Sequence, residues 1–169
     1  MVRFMSLIDV ILNRRSIRRY EKRDVPEEAL AQIIEAGRQA PSAANMQPIR
    51  FIILKDHEIK KKLSTNLFNR FIKNTPVVIV GCANVKALLT GKWAVVDTTI
   101  AMQNMVIAAW TLGVGSCWIG AFNEEKVKEM LRIPAKWKVV ALMTLGYPAE
   151  TPKQSKKKSF EKMFSFNSF

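Results

Sequence analysis

Four arginines and a serine fall within six residues, Arg14-Arg15-Ser16-Ile17-Arg18-Arg19. A guanidinium is planar, always charged and able to make two parallel hydrogen bonds to one phosphate. A neighbouring hydroxyl adds another donor, so the run suits a phosphate-bearing ligand. On residue types alone it reads equally well as a solvated basic surface. A second segment, Pro41-Ser42-Ala43-Ala44-Asn45-Met46-Gln47-Pro48, holds small residues between prolines. Loops commonly carry such residues for turn reasons, so this segment alone is ambiguous as well.

Other chemistry is hard to place. The one histidine, His57, lies in Lys55-Asp56-His57-Glu58, a charged stretch that suits a solvated side chain better than a catalytic base. Cys82 and Cys117 are far apart and fit no metal or redox spacing, so no metal site is expected. Gly113-Val114-Gly115-Ser116 is too short for a dinucleotide or phosphate loop. No side chain stands out as a nucleophile or general acid.

The 169 residues suffice for one domain with a real core, and 49% hydrophobic with 24% charged residues is ordinary for a globular protein. The net charge of +13 is extreme and favours polyanions or phosphorylated ligands. Basic residues are spread over 14–23, 55–73 and the tail 151–169, so one nucleic-acid-binding tail does not account for them. No signal-peptide core or membrane span is evident, and a reducing cytoplasm is the expected compartment.

Several elements must position these residues. Ser6 caps a helix with Asp9 three residues on, and Leu7, Ile8, Ile11 and Leu12 form its apolar face. Arg14 and Arg15 fall at its end, where the helix dipole favours cations. A second helix starts at Pro26, buries Leu30, Ile33, Ile34 and Gly37, and stops before Pro41. Strands are expected at 50–54, 76–83, 116–119 and 137–145, and a basic helix at 58–73. The 93–112 stretch reads as a long helix, apolar nearly all round, buried in a core or at a subunit interface. Asn123 caps a helix running to Leu131. The tail ends in Phe164, Phe166 and Phe169, which are expected to pack on something, such as a partner subunit. The expectation is a single α+β domain over 1–169.

Taken together, five segments resemble the FMN-dependent nitroreductase family in order and over nearly the whole chain. They are Arg14 to Arg18, Pro41 to Pro48, Asp97 with Ala101, Gln103 and Asn104, Gly113 to Gly120, and Leu145-Gly146-Tyr147-Pro148. The resemblance implies a three-layer α/β/α fold with a mainly antiparallel central sheet, built as an intertwined homodimer. FMN would lie at the dimer interface. Arg14, Ser16 and Arg18 would hold its phosphate and ribityl chain, with Arg15 contributing backbone or a ring-edge contact. Pro41, Ser42, Ala43 and Asn45 would come from the other subunit against the isoalloxazine, with Gln47 supporting them. Ile119 and Gly120 would set a backbone N–H near flavin N5, and Arg70 would face N1 and O2. Lys157 is the tail residue matched to a phosphate contact.

The family reading implies an oxidoreductase. NADH or NADPH reduces FMN, and a nitroaromatic, quinone or similar small acceptor is reduced in turn by a ping-pong route. No catalytic side chain is required, because flavin N5 carries the chemistry. Two alternatives stand beside it: the same fold with dehalogenating, oxidative or flavin-degrading chemistry, and, less favoured, a basic nucleic-acid binder. Three departures from the family pattern bear on the site: Lys156-Lys157-Lys158 replaces a tail arginine, Met46 replaces a smaller or polar residue, and the chain is short.

Overall fold

A computed structural model describes residues 6–169. Helix α1 (Leu7–Asn13) opens with the expected box: the Asp9 N–H donates to Ser6 Oγ at 3.2 Å and the Ser6 N–H to Asp9 Oδ2 at 3.1 Å. Among the described residues, its apolar face stays largely uncovered. Only Val10 is buried, while Leu7, Ile8, Ile11 and Leu12 are all exposed.

Helix α2 (Glu27–Arg38) buries Leu30, Ile33 and Gly37, as its spacing requires. It lies against α4 (Ala94–Thr111) at close range, since a Cβ on Gly37 would meet Met105 Cε at 2.1 Å. The 58–73 segment departs from expectation. Helix α3 (His57–Leu63) stops early, and a 3-10 turn follows at Arg70–Asn74. The cause is local: Asn66 Oδ1 accepts the N–H groups of Phe68 and Asn69, and Asn69 Oδ1 accepts the N–H of Asn66. These side chains take the donors a continuous helix needs. Helix α5 (Glu124–Leu131) is capped by Asn123, as expected.

Four strands, β1 (Ile49–Leu54), β2 (Val77–Asn84), β3 (Gly115–Ile119) and β4 (Trp137–Gly146), form one sheet in the order β1-β2-β4-β3. Every neighbouring pair is antiparallel. The central β2 is buried on both faces, which explains its unbroken apolar run. Helices α2 and α4 cover one face around Ile33, Ile79, Met102, Met105 and Met143. On the other face, α3, the 3-10 turn and α5 enclose Leu63, Ile72, Val80, Val127 and Leu142. Each fully buried aliphatic side chain contributes roughly 1.5–3 kcal/mol. The result is an α/β/α sandwich.

Two surfaces stay open. Helix α4 buries one side but exposes Val96. In the tail, residues 153–169 are all exposed, and Phe160 stacks on Phe164 with ring centroids 4.6 Å apart. Among the described residues, no helix is long and apolar enough to cross a membrane.

Candidate functional site

Three segments converge around β3 on the face that carries α3 and α5. The first is the arginine run. It leaves α1 in extended form and bridges β3 in parallel, with Ser16 opposite Ser116 and the Ile17 N–H donating to Ser116 O at 2.9 Å. Ile17 is fully buried and packs against Gly115, where any Cβ would lie 2.6 Å from Ile17 Cγ1. Ser16 and its second neighbours Arg14 and Arg18 all lie close enough to act on the Cys117 thiol of β3. Burial pushes its pKa up, while Arg18, a hydrogen bond from Ser16, and Arg14 oppose the shift.

The four arginines have distinct roles. Arg15 Nη1 donates to Leu12 O and Arg14 O, both at 2.9 Å, so its side chain caps the end of α1. Arg19 pairs with Glu150 at 3.3 Å. Among the described residues, Arg14 and Arg18 pair with no carboxylate. Glu150 also accepts the backbone N–H groups of Arg18 and Arg19. Tyr20 closes the segment: its hydroxyl donates to Ile17 O at 2.6 Å and lies 2.7 Å from Thr144 Oγ1, and burial drives its pKa upward.

The second segment is the end of β3. Ile119 is buried and Gly120 exposed. A Cβ built on Gly120 meets nothing within 4 Å, so one side of this backbone is open. The third segment is the 3-10 turn with Arg70. It is tied to β3 through Asn69, fully buried, and Asn66, whose side-chain amides donate to Ala121 O at 3.0 and 3.2 Å. Arg18 and Arg70 consequently line one cleft of about 440 Å³, with Arg19, Tyr20, Phe71, Lys73 and Asn74.

The 41–48 loop lies elsewhere. It turns through a 3-10 segment at Ala43–Asn45, with positive φ at Ala44, Asn45 and Gln47. Three non-glycine residues in that region are costly and need strong local restraint. Ser42 Oγ accepts the Gln47 N–H at 3.0 Å, and the Gln47 amide donates to Asn45 O. Asp97 of α4 accepts the Ala43 N–H at 3.1 Å. Its other oxygen, Oδ2, is buried with no hydrogen-bond partner among the described residues. Asn104 donates to Ala36 O, while Gln103 is exposed.

Sheet register separates the two halves. Ser116 sits opposite Leu145 of β4, whereas Ile49, just after the loop, lines up through Ala83 with Lys138. Seven strand positions at ~3.3 Å each put them about 20 Å apart along the sheet. They also lie on opposite faces, since Asp97 belongs to the α2–α4 side. One chain therefore brings Arg18 and Arg70 to one cleft, carries Arg14 and Ser16 on the segment that leads to it, sets Ile119 and Gly120 at the other end of β3, and keeps Pro41, Ser42, Ala43, Asn45 and Gln47 apart. Lys157 is exposed in the tail and joins neither half.

Sequence reasoning missed Glu150, Tyr20, Asn66 and Asn69. Each acts through a partner distant in sequence or through a local turn, and none has a motif. The donor set itself fits a phosphate: two guanidiniums that pair with no carboxylate among the described residues, and a hydroxyl between them in sequence.

Comparisons with known proteins identify the family. The chain matches the model of the nitroreductase family over residues 11–83 and 64–147, overlapping segments that span most of it. It is similar to a protein of Archaeoglobus fulgidus described provisionally as an NADH dehydrogenase or NAD(P)H nitroreductase, at 38% identity over 85% of this chain and 86% of that one. It is similar to an FMN reductase [NAD(P)H] of Bacillus subtilis, at 31% identity over 86% of this chain and 67% of that protein. A solved FMN-dependent nitroreductase of Clostridium difficile superposes with a TM-score of 0.85 at 30% identity, covering 96% of this chain and 99% of that one. With the α/β/α architecture and the arginine segment bridged to β3, these matches establish that the chain belongs to the nitroreductase family.

Proposed function

We propose that the protein is an FMN-dependent oxidoreductase that takes reducing equivalents from NADH or NADPH and delivers them to a nitroaromatic, a quinone or a similar small acceptor. The observation that carries this reading is the Arg14, Ser16 and Arg18 segment, whose two guanidiniums pair with no carboxylate among the described residues, with Arg70 lining the same cleft as Arg18. When bound, the flavin supplies a two-electron relay, accepting hydride at N5 and passing it on.

The chain's own residues bind and orient. Arg14, Ser16 and Arg18 hold the phosphate and ribityl chain, and Arg15, its side chain spent on capping α1, contributes backbone. The Arg70 guanidinium stabilises negative charge at the N1–O2 edge of a reduced ring. The Ile119–Gly120 backbone offers an N–H to the ring and leaves room for a flat ligand. No general acid is needed beyond water. The ping-pong order follows from one pocket serving donor and acceptor in turn.

The active form is a homodimer. One chain holds its two half-sites about 20 Å apart, on opposite faces, so a second copy supplies Pro41, Ser42, Ala43, Asn45 and Gln47 to the arginine half. The exposed leucines and isoleucines of α1, Val96 of α4 and the phenylalanine tail are the surfaces such a partner covers. Lys157 reaches phosphate through the same association.

The test is direct. Purified protein is yellow, binds about one FMN per chain and is bleached anaerobically by NADH or NADPH. Added quinone or nitroaromatic restores the colour. Arg14→Ala weakens FMN retention by at least tenfold. A colourless protein that takes up no added FMN overturns the reading.

A further inference from the structure

The cleft beside the arginine segment holds more positive charge than FMN uses. Arg18, Arg19, Arg70 and Lys73 all line it, with Arg14 near by. Among the described residues, Arg14, Arg18, Arg70 and Lys73 pair with no carboxylate, and Arg19 shares Glu150. A phosphate monoester brings about −2 at neutral pH. Arg14 and Arg18 match that charge, and Arg70 answers the pyrimidine edge of the ring. Lys73 is left over, and Arg19, already paired with Glu150, borders it.

We propose that Lys73, seconded by Arg19, forms a second anion subsite that binds the 2′-phosphate of NADPH and makes this reductant the preferred one. The inference rests on the flavin reading above. The geometry is specific to the turn. Residues three apart in a 3-10 segment project on the same side, so Arg70 and Lys73 share a face while Ile72 is buried on the other. The Lys73 backbone is fixed, its N–H donating to Ser64 Oγ at 2.9 Å. The whole turn is anchored to Ala121 through Asn66 and Asn69. Lys73 therefore stands at a set distance from Arg70, on the same wall.

Size and lining agree. At about 440 Å³ the cleft falls within the range of small-molecule pockets. Tyr20 and Phe71 give it apolar wall, as a phosphoribose next to an adenine requires. NADPH carries one more phosphate than NADH, so a surplus of unpaired cations discriminates between them by charge alone. The overall +13 charge increases the encounter rate of the more anionic nucleotide in the same direction.

The experiment uses the FMN-loaded protein and compares Lys73→Gln, Lys73→Arg and Lys136→Gln, the last being an equal charge change at the other end of the sheet. Lys73→Gln raises KM for NADPH about tenfold and KM for NADH no more than about twofold, a selective loss near the 1.4 kcal/mol that a decade represents. Lys73→Arg restores the parent value, and Lys136→Gln leaves both KM values in place. Titration with 2′,5′-ADP, followed calorimetrically, gives binding at least about tenfold tighter than 5′-AMP, lost in Lys73→Gln. Equal affinity for 2′,5′-ADP and 5′-AMP, or a Lys73→Gln effect of the same size on both reductants, overturns the inference. Failure to hold FMN is read separately from the visible spectrum and overturns the flavin reading, whereas the ADP titration reads the anion subsite by itself.

Discussion

The carboxylate of Glu150 accepts the backbone N–H of Arg18 at 2.6 Å across 132 positions of sequence. The same oxygen takes the N–H of Arg19 at 3.1 Å, and the second oxygen pairs with the Arg19 guanidinium. One residue at the start of the tail thus holds the arginine segment in register and occupies Arg19, while Arg18 keeps its guanidinium free.

Glu150→Ala leaves two N–H groups without their acceptor. They can be hydrated, so stability falls by only about 1 kcal/mol. Flavin loss on dilution, followed by its fluorescence, speeds up several-fold. Glu150→Gln keeps one acceptor oxygen and gives an intermediate rate. If both variants retain flavin like the parent, the segment is not set by Glu150.

Two glycines of β3 and its end separate packing from ligand approach. Gly115→Ala forces a Cβ to within 2.6 Å of Ile17 and 3.0 Å of Pro148. Overpacking of that kind costs roughly 1–3 kcal/mol and displaces Ser16 with Ile17. Gly120→Ala meets nothing in the chain, so its melting temperature stays near the parent's while its rate of reduction by NADPH falls at least tenfold. A stable, fully active Gly120→Ala protein places the ring elsewhere.

Asp97 predicts a contrast between two substitutions. Asp97→Ala leaves the Ala43 N–H without an acceptor and releases a loop that carries three positive-φ residues, at a cost of about 2 kcal/mol. Asp97→Asn keeps one acceptor and replaces the unpartnered buried Oδ2 with an amide, so it is far better tolerated. Hydrogen exchange at Ala43, fast in the first variant and slow in the second, checks this. Exchange that is slow in both shows the loop does not hang on Asp97.

Alkaline pH should weaken the fold through its buried acids. Burial raises Cys82 from its ordinary 9.0 to about 11, and pushes Cys117 and Tyr20 upward as well. Between pH 9 and 11 the unfolded chain loses the Cys82 proton while the folded chain keeps it. The unfolded state then binds fewer protons, so stability is full below pH 9 and falls as pH rises towards 11. Cys82→Ala removes its share of that slope, read as a smaller drop in Tm over the interval. An identical pH profile for parent and variant rejects the assignment.

Much of this protein was legible in the chain. The capping box of Ser6 and Asp9, the apolar run of β2 and the Asn123 cap are local signals, and they fold as local rules dictate. The arginine run and the proline-bracketed loop were visible as segments of unusual residues, because side-chain chemistry is written in the sequence itself. The helix expected over 58–73 failed because Asn66 and Asn69 turn their side chains on the backbone, a competition that periodicity does not register.

Tertiary structure decided how those segments are used. Only the antiparallel register puts Ser16 beside Ser116 and sends the 41–48 loop to the far end and opposite face of the sheet. Only the fold splits four similar arginines into a helix cap, an ion-paired residue and two guanidiniums with no carboxylate partner among the described residues. The physical reason is the same in each case. Residue types set what a side chain can bond to, but pairings over a hundred positions apart depend on strand order and on which partners packing brings within 3 Å.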